Sequence, residues 1–456
     1  MQKIPDETDR IGFSAWWMAV VLTAMYVLSF FDRNLLSLVV DPVRSGFQLT
    51  DVEVSLVLGP AFGIVYAIVG MPLGWAADRL DRRVVIFSGI FTWSLATLAT
   101  GLVTSFTGLA IARMFVAIGE AALTPAAVSL LSDRFPTRRV TVALSLYNIG
   151  PKSGISLAFL AGGLMLGAGA ATSYATLPLF GQVHSWQVLF IPIGILGALF
   201  ALLVFTFKEP PRRQSNNAEK ALGNDSFFGH LSSHKQFYIP FAIAFCLLSI
   251  ASASVQLWTP TFITRHFGVA PREYGPPLGI ITGIAAFGLP VMGVFVDWVY
   301  DRGVRDAPLR VYTWILMIAG PTSAYAFFST NLYFFLILFG LLLGIISPYM
   351  MYASAGIKLI APSELRGRLV AGMLFLASIS GLAIGPTVVA AVTEHVLSGP
   401  ASLGTSLGIV MTICIVISLV LLRFALAQLR TLTNTDVAYR VAAPSIVTPN
   451  SAAATE

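Results

Sequence analysis

Gly74-Trp-Ala-Ala-Asp78-Arg79-Leu-Asp81-Arg82-Arg83 closes one long apolar stretch of this sequence, and Gly293-Val-Phe-Val-Asp297-Trp-Val-Tyr-Asp301-Arg302 closes another. In each copy a Gly and an Asp stand four residues apart, which is one helical turn. The glycine lets a neighbouring helix come close, and the carboxylate points the same way. That carboxylate can face a helix N-terminus, where the dipole favours negative charge. A single copy would read as a basic loop anchor. Its recurrence points to a repeated unit and a repeated conformational latch: Gly74, Asp78, Arg79 and Arg83 in the first copy, Gly293 and Asp297 in the second.

Working outward from the two copies, apolar runs of about twenty residues, the length that crosses a bilayer, fall near 15–40, 53–76, 84–104, 107–132, 140–168, 187–207, 237–263, 275–299, 310–329, 331–355, 368–394 and 404–427. Each copy ends the second run of a set of six. The chain is 56% hydrophobic and 11% charged, whereas a soluble domain carries roughly 25% charged residues. The expected fold is therefore all-α and integral to a membrane, with twelve transmembrane helices in two pseudo-symmetric six-helix bundles. The expected organisation is a cytoplasmic tail over 1–14, a bundle over 15–207, a cytoplasmic linker over 208–236, a second bundle over 237–427 and a cytoplasmic, largely disordered tail over 428–456. Asp6, Glu7 and Asp9 make the start unlike a cleaved signal peptide.

Of the 28 Lys and Arg, 22 fall in loops and tails on one side or at the run ends beside them (Arg310, Arg368 and Arg423), 3 on the other side (Arg44, Arg265, Arg272) and 3 deep within runs. The positive-inside rule then places both termini in the cytoplasm of a cell inner (plasma) membrane. The net charge of +6 follows from topology and asks for no nucleic acid partner; anionic membrane lipids are the natural one.

Five ionisable residues lie deep in the runs, all in the first third: Asp32, Arg33, Arg113, Glu120 and Lys152. Each costs at least about 2.5 kcal/mol at bilayer depth, so such groups usually mark an ion or substrate path. Counting residues from the outer ends at 1.5 Å each puts Asp32 level with Arg113, and counting sixteen residues either side of position 136, in the inner loop between the fourth and fifth runs, puts Glu120 level with Lys152. Two ion pairs are expected on that basis, with Arg33 as a spare positive charge. The surplus favours an anionic substrate, and protonating a carboxylate increases it, which would link proton and anion. Asp32 is the first candidate for proton sensing and Glu120 the second; Arg33, Arg113 and Lys152 are candidate headgroup or coupling partners. Permanent ion pairs that only fix packing remain an alternative.

The second half offers Gln256, Trp258, Thr259, Phe262, Phe287, Tyr349, Met350, Met351 and Tyr352 as cavity candidates, with hinges or gates at Pro260, Pro290 and Pro348 and an outer gate or anchor at Glu394 and His395. No GxxxxGK[ST] loop, Ser-His-Asp set or His/Cys cluster is present, so neither an ATP-driven pump, a hydrolase nor a metal site is suggested. The two cysteines, Cys246 and Cys414, read as packing residues. No cofactor is expected beyond a proton gradient, and a monomer is the expected state.

GWAADRLDRR resembles the signature loop of the major facilitator superfamily, and the resemblance covers nearly the whole chain. It implies the major facilitator fold, with the loop holding the two halves together on the cytoplasmic side in the outward-open state. Trp298 replaces the Arg that follows Asp78 in the first copy, which implies a weaker second latch. SFFDRNLL and RMFVAIGEAALTPAAVSLLSDRFP resemble the spinster-type branch, which implies export of lysophospholipid or sphingosine phosphate lipids. Symporters of organic anions share the Asp-Arg pair in the first run and the Glu in the fourth. NIGPKSGISLA is similar in part to the helix-five motif of proton-driven multidrug exporters, from which Lys152 departs. The expected function is proton-linked transport of an amphipathic anion by alternating access. Small organic-anion symport, multidrug export and an intramembrane lipid-modifying enzyme are the alternatives.

Overall fold

A backbone inside a bilayer must satisfy its own hydrogen bonds, so each apolar run becomes a helix. The computed structural model describes residues 12–166, 174–177, 181–212, 224–397 and 399–442. Among the described residues, ten helices are long and apolar enough to cross a membrane. They are α1 (Phe13–Leu38), α2 (Asp51–Arg79), α3 (Arg82–Thr100), α4 (Phe106–Arg134), α6 (Gln187–Thr206), α7 (Lys235–Phe267), α8 (Pro271–Asp301), α10 (Leu332–Ile360), α11 (Ser363–Val396) and α12 (Leu403–Thr431). The two remaining places are filled by α5 (Thr137–Leu157), prolonged to Met165 by a π turn, and α9 (Ala307–Ala326). A hairpin of β1 (Tyr174–Leu177) and β2 (Gly181–His184) was not expected and lies between α5 and α6.

Three differences from the sequence reading have physical causes. After α1 the chain runs on as a short helix, Val40–Phe47, so helical structure continues seven residues past the expected end of the first run. The last helix continues to Ala442, because Arg423-Phe-Ala-Leu-Ala-Gln-Leu-Arg430 is rich in strong helix formers; this shortens the expected disordered tail, and 443–456 lie outside the described residues. Finally, α7 and α8 run unbroken through Pro260 and Pro290, whereas α10 breaks between Ile346 and Tyr349, at Ser347-Pro348.

The two halves are packed at one end and parted at the other. One continuous buried core joins the second half to the outer parts of the first, including Leu35, Val54 and Phe159; a second core, with Trp93 and Leu130, belongs to the first half alone. Two glycine seams make the closed end. In α8, Gly275 lies against Gly163 and the Phe159 carbonyl, and Gly279 against the Ser156 carbonyl; in α2, Gly63 lies against Leu382 of α11. Towards the other end of the same helices Gly288 and Gly293 meet nothing, and Met71, Trp75, Val291 and Val294 are exposed. On the Lys and Arg count the closed end is the one expected to face outside, and it is called the outer end below.

Candidate functional site

Four of the five deep charges meet in one buried region of the first half, but in different partnerships from those expected. Glu120 of α4 receives Arg33 through both Nε and Nη2, and the Ser29 hydroxyl at 2.8 Å. The extra helix after α1 explains the change. Arg33 is fourteen residues from Phe47, and Glu120 is fourteen from Phe106, so these two are level. The Arg33 guanidinium also lies over the rings of Phe62 (4.3 Å), Phe30 (4.5 Å) and Tyr66 (5.3 Å). Arg33 is therefore not the spare charge.

Asp32 takes a hydrogen bond from Thr97 of α3 on one oxygen, while Oδ1 has no protein partner. Arg113 is close enough for the two charges to act on one another, yet the pair does not reach ion-pair distance, and Arg113 Nε is also unpartnered. Glu120 Oε1 and Ser94 Oγ complete a set of four buried polar atoms without a protein hydrogen bond.

Lys152 does not pair with Glu120, although the two are at similar depth. Gly150 and Gly154 of α5 pack on α1, Gly154 against Phe30 and Phe31. Lys152 lies two residues from each, about 200° round the helix, so it faces away from α1. Its ammonium donates to Ser347 Oγ at 2.9 Å, across the boundary between the halves. The break in α10 brings that hydroxyl to it. Ser156, one turn on, donates to the Gly279 carbonyl at 2.7 Å on the same face.

Four of the nine second-half cavity candidates turn out to be packing. Trp258 is fully buried and donates to the Pro386 carbonyl at 2.9 Å, and Thr259 is fully buried. Phe262 sits among His266, Phe267, Phe327 and Phe335 with centroids 5.0–5.8 Å away. Tyr352 stacks on Tyr312 at 4.2 Å. An apolar run cannot show which of its faces meets a neighbouring helix, which is why these residues were misread. Gln256, Tyr349 and Met350 are only partly buried, and Met351 is exposed. Gln256 donates to Asn34 at 2.9 Å across the halves, and Tyr349 contacts Ser249 at 3.2 Å. The side chain of Phe287 lies outside the described residues.

At the latch, Asp78 and Asp297 are both exposed rather than set against a helix end, because the inner side is parted. Gly74 has only Pro125 near it, and Arg79 lies over its own Trp75 at 4.1 Å. Arg83 pairs with Asp81 at 2.9 Å, and this hydrogen bond holds the Asp81 carboxyl well below the usual carboxylate range. The residue missed was Arg82, almost wholly buried and bonded to Asp133, Glu209, Ser129 and the Pro210 carbonyl. It straps the start of the linker to the first half. The signal was there in part: Glu209 stands two residues past the end of the sixth run.

The family model for the Major Facilitator Superfamily matches residues 22–307. The chain belongs to the major facilitator superfamily. This transporter is 28% identical over 408 residues to an MFS-type efflux pump of Mycolicibacterium smegmatis, covering 88% of this chain and 90% of the relative. It is 24% identical to the cis,cis-muconate transport protein of Acinetobacter baylyi, covering 84% and 89%. Its fold matches a bacterial homologue of the human lysosomal transporter spinster, solved inward-facing and unoccupied, with a TM-score of 0.75 at 23% identity over 92% of this chain and 98% of that one. The superfamily consists of transporters, and the resemblance to the spinster-type branch extends through the fold.

Proposed function

We propose that this transporter carries an organic anion across an inner membrane by alternating access, with proton linkage and both termini cytoplasmic. The observation that carries the reading is Lys152. It is a cation at the boundary between the halves whose hydrogen-bond partner is the neutral hydroxyl of Ser347. With Arg33 neutralised by Glu120 and Arg113 facing Asp32, the surplus positive charge resides at Lys152. A buried charge without a counter-charge is expensive, and an anionic substrate between the halves would supply one.

Proton linkage is supported by Asp32 Oδ1 and Glu120 Oε1, carboxylate oxygens buried without a protein donor, where a proton can be held. A short organic acid fits better than a lysophospholipid or sphingosine phosphate, because Trp258, Phe262 and Tyr352 are taken up in packing and offer no surface to an acyl chain. The efflux-pump relative keeps export in view, and the direction is an outcome of the assay.

The test is uptake into proteoliposomes under an imposed pH gradient. The probes are cis,cis-muconate, the acid named for the Acinetobacter relative, and galacturonate, each against lysophosphatidylglycerol. Gradient-driven movement of an acid supports the reading; movement of the lysolipid alone overturns the short-acid part, and movement of neither overturns the whole. In Asp32→Asn the response to the gradient should be lost while binding survives. An unchanged pH response removes Asp32 from the mechanism.

A further inference from the structure

The outer end of the seam carries an ion cluster that joins the halves. Arg265, in the last turn of α7, donates from Nε and Nη2 to Asp41 Oδ1 at 2.9 and 2.7 Å. From Nη1 and Nη2 it donates to Asp51 Oδ2 and Oδ1 at 2.7 and 2.8 Å. Asp41 lies on the short helix Val40–Phe47, and Asp51 opens α2. Arg44 of that short helix stands 3.3 Å from Asp51.

The cluster is asymmetric across the seam. The first half contributes two carboxylates and a second cation, so if the outer end parts, Asp51 keeps Arg44 beside it. The second half contributes Arg265 alone. Among the described residues no carboxylate of that half lies within 4.0 Å of it. Its neighbour His266 is engaged with the Ser329 carbonyl, and Glu394 accepts from the Val52 amide across the seam. Opening the outer end would therefore strip a largely buried guanidinium of four hydrogen bonds at once. Removing one partner of a buried pair leaves the other charge uncompensated, and the planar fork that is exposed fits a carboxylate bidentately.

We propose that Arg265 is an outer carboxylate subsite: when the outer end opens, it holds the carboxylate of the transported anion in place of Asp41 and Asp51. Substrate and aspartates then compete for one fork. This rests on the organic-anion reading and adds the place where the anion is held on the outer side. It also separates the subsite from a clasp that merely closes the seam. A plain clasp responds alike to loss of either partner. A competed subsite does not: losing the aspartates strengthens the response to external carboxylate, and losing the arginine abolishes it.

The experiment uses the full chain in proteoliposomes, with Cys246→Ser and Cys414→Ser and a Ser55→Cys reporter. Ser55 is fully buried at the outer seam, where its hydroxyl contacts Thr387. Labelling by a membrane-impermeant maleimide from outside is measured with and without external succinate, cis,cis-muconate or galacturonate. At least one acid should accelerate labelling of the otherwise unaltered reporter protein. In Asp41→Asn/Asp51→Asn labelling should be faster at the outset and the acid should act at a concentration lower by about tenfold or more, as expected when a competing state is removed. In Arg265→Gln labelling should be fast and indifferent to acid, with Arg265→Lys between the two. The proposal is overturned if no acid alters labelling of the unaltered reporter, or if Arg265→Gln responds as that protein does. Transport of an acid with an intact response in Arg265→Gln defeats the subsite and spares the function. A response through Arg265 without transport does the reverse.

Discussion

Replacing Gly275 by alanine tests whether the α5–α8 seam opens during the cycle. A Cβ there would stand 2.6 Å from the Phe159 carbonyl oxygen and 2.8 Å from the Gly163 Cα. Both are backbone atoms of the opposite half, so no side chain can swing aside and the helices must separate. Overpacking of this kind costs about 1–3 kcal/mol. In a transporter that rocks about a central site, the cost falls only on the state in which the outer end is closed. At roughly 1.4 kcal/mol per factor of ten, the equilibrium should move about 5- to 150-fold towards outer opening. The assay is external maleimide labelling of Ser55→Cys in the background lacking Cys246 and Cys414. Gly288→Ala is the control, since it lies on the same helix with nothing within 4 Å of the added carbon. Labelling of Gly275→Ala no faster than that of Gly288→Ala, in protein that unfolds at the same temperature as its parent, would refute the reasoning.

Lys152→Gln should raise the KM for the transported acid by roughly 10- to 150-fold, the worth of a charge-assisted hydrogen bond of about 1.5–3 kcal/mol; a KM within threefold of the parent's would remove the lysine from the site. Trp258→Phe, losing its bond to the Pro386 carbonyl, should cost about 1–3 kcal/mol in stability and leave KM unchanged, as measured by thermal unfolding in detergent and by uptake. Asp306 immediately precedes α9, where burial works against its ionisation but hydrogen bonds from Arg430 and Arg310 prevail and hold its carboxyl below the ordinary value. Its contribution to stability is thus complete above the ordinary carboxylate pKa and fades as pH falls through the lowered one. Asp306→Asn should lower the unfolding temperature at pH 7 and narrow its gap from the parent in acid, and a gap that stays constant with pH would contradict the assignment.

The twelve helices could be read from the chain because their cause is local. Twenty apolar residues in a bilayer have no better option than a helix, wherever the rest of the chain lies. The repeated Gly and Asp of residues 74–83 and 293–302 similarly identified the second helix of each half. The deep charges were recognisable too, since an ionisable side chain among apolar neighbours stands out in any register. Their relative level was recoverable only where the helix end was plain: the turn after Leu38 hid the further helix Val40–Phe47, so the count for Asp32 and Arg33 began from the wrong residue.

What the sequence determined was therefore the class, the order of the spans and the half in which the deep charges lie. Tertiary structure decided the partners. Arg33 rather than Lys152 meets Glu120, Lys152 reaches Ser347 across the halves, Trp258 and Tyr352 turn into packing, and Arg265 closes on two aspartates more than two hundred residues before it. Depth follows from counting residues at 1.5 Å each, but which way a side chain faces depends on where neighbouring helices stand. That is set by close contacts such as Gly154 on α1 and Gly275 on α5, made between residues far apart in the chain.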